Sequence, residues 1–109
     1  MRTRHPLPVV LHHGDTLELS TKVLSGRAVV ADNALSVSGP DAFSLRLDTV
    51  SDVVLERLQL GHVIRVVHDG GTLWLAVYRI NLFGQFVIFN LWATSRLAKL
   101  LRDICTTAA

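Results

Sequence analysis

Between Leu17 and Val23 apolar and polar residues alternate, with Leu17, Leu19, Thr21 and Val23 on one side and Glu18, Ser20 and Lys22 on the other. A period of two belongs to a strand with one buried and one wet face. The pattern returns over Leu35–Ser38 and Phe43–Leu47. Turn formers separate these stretches: Ser25-Gly26, Asp32-Asn33 and Ser38-Gly39-Pro40-Asp41. Longer apolar runs follow at Val53–Leu58, His62–His68 and Thr72–Ile80. Asp69-Gly70-Gly71, between the last two, reads as a hairpin turn, because glycine supplies positive φ without steric cost. Short strands at this spacing predict antiparallel sheets folded into a sandwich or barrel. Leu73–Val77 is apolar on both faces, as a central strand under a helix or a strand at a subunit interface would be.

The period changes near the C-terminus. Ala93, Leu97, Leu100 and Ile104 fall at i, i+4, i+7 and i+11, one stripe of an α-helix. Arg96, Lys99 and Arg102 fall on the other side, and the last two suit the negative pole of the helix dipole. Asn90 is a reasonable N-cap. Phe86–Phe89 reads either as a last strand or, with Phe83 and Ala93, as a backward extension of the helix. Gly84 weakens a helix there and favours the strand.

Composition narrows the class. A chain of 109 residues is one domain, and half of them apolar with 18% charged excludes intrinsic disorder. The single cysteine, Cys105, excludes an intramolecular disulfide framework and a multi-cysteine zinc site. A net charge of +2 sets no strong field, and the arginines are scattered rather than gathered on one element, which argues against nucleic acid. Basic residues precede the apolar run Leu7–Leu11, but that run contains Pro8 and ends at His12-His13 without a cleavage site, so it is no signal peptide. Residues 73–93 carry Arg79, Asn81, Gln85 and Asn90, which would lie at every depth of a bilayer and exclude a span. The expectation is a cytoplasmic protein with an N-terminal extension over 1–13 and a domain over 14–109.

Some seven antiparallel strands followed by one amphipathic helix is a layout that resembles a pleckstrin-homology-like (PH-like) domain. Local detail resembles the bacterial PH and GRAM members: Arg27-Ala28-Val29-Val30-Ala31-Asp32-Asn33-Ala34-Leu35, then Leu47-Asp48-Thr49-Val50-Ser51-Asp52-Val53, then a hairpin at Asp69-Gly70. The likeness covers roughly residues 14–105. It implies a mainly β fold, an antiparallel sandwich or barrel of about seven strands capped by one C-terminal helix, and a binding scaffold rather than an enzyme. Members that bind phosphoinositides carry a basic residue ending the first strand and a Lys/Arg-x-Arg opening the second. Lys22 and Arg27 resemble the first two of these cations, while Val29 stands in place of the last arginine. Two cations alone hold an anionic headgroup weakly, at about 1 kcal/mol each.

Candidate chemistry is sparse. His12, His13 and Asp15 form the one local metal-like cluster, but adjacent residues on a strand face opposite ways. His62 and His68 share a face about 20 Å apart, too far for one ion. Cys105, near a helix C-terminus, lacks the environment that lowers a thiol pKa. Nucleophile elbow, P-loop and dinucleotide fingerprint are all missing from the chain. The chain therefore reads as a non-enzyme without cofactor or metal.

Trp74, Tyr78, Phe83, Phe86, Phe89 and Trp92 crowd the last third and chiefly fill the space between sheet and helix. The positive mean hydropathy, +0.38, asks for burial beyond one small core. Homo-oligomerisation through Trp74, Tyr78, Phe83 and Phe86 meets that demand. The functional expectation is a non-catalytic PH-like binding module for protein interaction or self-assembly. The alternative is peripheral membrane binding to anionic headgroups through Lys22 and Arg27, with the helix face Arg96, Lys99 and Arg102. A histidine metalloenzyme built on His12, His13 and Asp15 is the third class.

Overall fold

The computed structural model describes residues 5–14, 24–40, 42–58, 61–82, 86–89 and 91–108. Eight strands precede one helix: β1 (Leu7–His13), β2 (Leu24–Ala31), β3 (Ala34–Ser38), β4 (Phe43–Arg46), β5 (Val50–Leu58), β6 (Gly61–His68), β7 (Gly71–Leu82), β8 (Phe86–Phe89) and α1 (Leu91–Ala108). A single 3₁₀ turn, Leu47–Thr49, separates β4 from β5. Seven strands form one antiparallel sheet in the order β4-β3-β2-β1-β7-β6-β5, and β8 pairs with the far end of β7. The fold is mainly β with a helical cap. Each hairpin follows from its turn residues. Asp32 and Asn33 join β2 to β3 with φ of 53° and 59°, the double positive φ that a two-residue hairpin needs. The β6–β7 hairpin turns on Asp69-Gly70, where Gly70 N–H donates to His68 Nδ1 at 3.1 Å.

Two sequence expectations are corrected. Leu7–His13 is no extension: it is β1, paired with β2 on one side and β7 on the other, in the middle of the sheet. Its apolar run, Val9, Val10 and Leu11, is fully buried because both faces of a central strand are covered. Ser25-Gly26 is no turn but lies within β2. A Cβ on Gly26 would stand 2.6 Å from both the Ser38 carbonyl oxygen and Val37 Cγ1, so this glycine lets β3 close onto β2. The alternating stretch Leu17–Val23 and the N-cap Asn90 lie outside the described residues. Phe86–Phe89 is a strand.

Alternation divides the core in two. Val9, Leu11, Val30, Leu35, Ile64, Val66, Leu73, Leu75 and Val77 face inward and meet Leu97, Ala98, Leu101 and Ile104 of α1. On the opposite face Val10, Val63, Trp74 and Ala76 form a second, smaller cluster with Tyr78 beside it. Strand β7 therefore contributes to both clusters, which explains its unbroken apolar run.

The helix is held by polar contacts to the sheet. Strand β6 accompanies β7 as far as the Ile64–Leu75 pair, and β8 joins β7 only from Tyr78 onward. At Val77, between the two, the Thr94 hydroxyl accepts from the main-chain N–H at 3.1 Å and donates to the carbonyl at 3.4 Å. Thr94 is the buried polar side chain among the described residues. Arg102 Nε donates to Val53 O on the edge strand β5 at 3.3 Å, and the Cys105 thiol donates to Leu47 O at 3.7 Å. The helix thus closes the sheet's β5 edge and lies over the 3₁₀ turn.

Two substitutions test this account in urea titrations. Gly26→Ala is expected to cost about 1–3 kcal/mol through overpacking against β3. Thr94→Val keeps the shape but orphans two buried main-chain groups, for a loss of about 3 kcal/mol. Thr94→Ser keeps the hydroxyl and is expected to lose about 1 kcal/mol. Equal stability of the Val and Ser variants would refute the role given to the hydroxyl.

Candidate binding surfaces

Three surfaces carry the residues singled out by sequence. The first is the outer face of β2, where Arg27 is exposed, because Ala28 and Val30 take the inward positions. It stands opposite Ser38 of β3 and Pro8 of β1, and Ser38 Oγ donates to its carbonyl at 3.4 Å. Lys22, its proposed companion, lies outside the described residues. The structure therefore places one of the two headgroup cations and brings no second described cation beside it.

The second surface is the aromatic one. Trp74 is 6% exposed, and its indole N–H donates to Gly14 O at 2.9 Å, so it is consumed within the chain. That corrects its assignment to an interface: the N–H has a partner and the ring has a cluster. Tyr78 is half-buried beside the same cluster. Phe86 opens β8 opposite Leu82, and Phe83 lies outside the described residues.

The helix reverses the expectation for the remaining tryptophan. Trp92 is 75% exposed and Leu91 46%, the exposed large hydrophobics among the described residues. The buried stripe runs through Thr94, Leu97, Ala98, Leu101 and Ile104, about 65° around the helix from the predicted one. Ala93 and Leu100 slip to partial burial. Periodicity missed this rotation because it scores threonine as polar. At 100° per residue, Trp92, Arg96 and Lys99 fall on one stripe, and all three are exposed. Arg102 is exposed on a neighbouring stripe, with its Nε on Val53 O.

The third surface is the rim where β1 and β6 end. His13 lies on the same side of β1 as Val9 and Leu11 but is exposed at the rim, and its ring meets the Phe43 ring edge-on at 4.9 Å between centroids. Burial lowers its pKa from the ordinary 6.5, and the charges of His68 and His12 lower it further. His12 points the other way, with Val10, so the pair shares no ion. Among the described residues no group of three or more His, Cys, Asp or Glu side chains is placed to hold a metal; Asp15 lies outside them. The Cys105 thiol is pushed up by burial, which removes thiolate at neutral pH.

No described helix is long and apolar enough to cross a membrane. Comparison with protein-family models and with curated proteins finds no match to this chain.

The His13 environment has a measurable consequence. A folded pKa below the unfolded value means the unfolded chain binds the proton more readily. His13 thus withdraws stability as pH falls from about 6.5 through its lowered folded pKa, and withdraws none above 6.5. Side-chain NMR titration is expected to place His13 below 6.5, and His13→Gln is expected to flatten the stability profile in that window. A His13 midpoint at or above 6.5 would contradict the geometry.

Proposed function

We propose that this chain is a non-catalytic binding module, PH-like in layout, that works by contact with protein chains, copies of itself included. The strand order and the single C-terminal helix are compatible with a PH-like fold. The observation that carries the reading is the use made of three side chains, one in the core, one partly buried and one at an exposed turn. Thr94 binds the Val77 main chain, the Cys105 thiol binds Leu47 O, and His68 Nδ1 accepts from Gly70 N–H. Those three side chains are spent on backbone, while the described buried residues are aliphatic apart from Trp74 and Thr94. The contact surface for a second chain would run along Tyr78 and β8, with Trp74 excluded.

Sedimentation velocity across the micromolar range tests self-assembly. A dimer that Tyr78→Ala weakens is the expected result; a 12.0 kDa monomer throughout would overturn that part of the reading.

A second reading, attachment to an anionic membrane surface, is favoured by one specific observation. The most exposed aromatic side chain among the described residues, Trp92, shares its helix stripe with two exposed cations, Arg96 and Lys99.

A further inference from the structure

We propose that the outward stripe of α1 is the membrane-docking surface, with Trp92 seated in the headgroup layer of an anionic bilayer and Arg96 and Lys99 on its phosphates. The inference rests on the peripheral-membrane reading and narrows its site from Lys22, Arg27 and the basic helix face to the single stripe that Trp92 shares with Arg96 and Lys99. Trp92 and Leu91 sit in the first turn at 75% and 46% exposure, while the core-facing residues Leu97 and Leu101 are almost completely covered. Arg96 and Lys99 follow Trp92 at i+4 and i+7, and among the described residues neither makes an ion pair. The stripe from Trp92 to Lys99 is about 10 Å long, short enough to lie flat in one headgroup layer. Asp103 continues the same stripe, so the contact belongs to the first half of the helix.

Area and charge select this occupant over a second copy of the chain. Two exposed side chains offer roughly 300 Å² of apolar surface, against about 800 Å² per partner in a stable protein interface. An interfacial tryptophan beside two lysine or arginine side chains needs no such area, because its partner is a continuous anionic plane. A copy of this chain would also bring the same cations to face each other across a two-fold axis.

Co-sedimentation with phosphatidylcholine vesicles, and with vesicles carrying about 30% phosphatidylserine, at low and high salt, is the test. The full-length chain is expected to bind the anionic vesicles at low salt and release in high salt. Arg96→Gln/Lys99→Gln is expected to weaken partitioning about 25-fold, from roughly fivefold per cation. Trp92→Ala is expected to weaken it about tenfold. Lys22→Gln/Arg27→Gln is expected to change it less than twofold. Each variant can be checked for retained fold by circular dichroism. Vesicle addition is expected to shift tryptophan emission to the blue in the wild type and not in Trp92→Phe, since Trp74 is already buried.

Failure of the wild type to bind anionic vesicles would overturn the membrane reading and this site with it. Binding lost in Lys22→Gln/Arg27→Gln but kept in the helix variants would overturn the site and leave the reading standing. A concentration-dependent blue shift without lipid, abolished by Trp92→Phe, would assign the stripe to a second copy instead.

Discussion

Strand β7 must satisfy three partners along one edge, and the point where it changes partners is bridged by one hydroxyl. Its main chain pairs with β6 up to Leu75 and with β8 from Tyr78, which leaves the Val77 N–H and carbonyl buried with no strand on that edge, while β1 pairs Val9 with Val77 on the other. Orphaned main-chain groups in such a place are costly. Thr94 offers a donor and an acceptor on one short side chain, and it takes both. A helix beginning at Leu91, directly after β8, delivers that residue one turn in.

The same contact sets the rotation of α1. Thr94 inward places Leu97, Ala98 and Leu101 in the aliphatic cluster where α1 packs on β5, β6, β7 and the 3₁₀ turn. Two residues at 100° each separate Trp92 from Thr94, so an inward threonine forces the tryptophan outward. Arg96 and Lys99 follow it. The exposed stripe is therefore a geometric consequence of satisfying Val77. Whatever the stripe engages, it is presented on a rigid element rather than on a loop. Farther along, Arg102 and Cys105 tie the helix to the β5 edge and to Leu47, which keeps the stripe from rolling.

Much of the architecture was legible as local pattern. The hairpins at Asp32-Asn33 and Asp69-Gly70, the strands β3, β5, β6 and β7, and the C-terminal helix all follow from alternation, turn chemistry and 3.6 periodicity. Other residues misled for a physical reason. Gly26 resembles a turn signal, yet it serves the approach of Val37 and Ser38, residues distant in sequence. Leu7–Leu11 is a short apolar run containing a proline, and only the two strands that flank it make it central. The candidate site was less legible than the fold. Sequence singled out the aromatic residues and the basic helix face, but it had no means of deciding that Trp74 is inside and Trp92 outside.

The sequence by itself determined a mainly β fold with a helical cap, because backbone hydrogen bonding and side-chain period are local properties. It also determined which helix residues are basic. Which way the helix faces, which strands neighbour which, and which tryptophan meets water were decided by the tertiary structure. Those depend on pairs far apart in the chain: Trp74 with Gly14, Val77 with Thr94, and Val53 with Arg102. Burial is a property of such pairs, and no window along the chain contains both members.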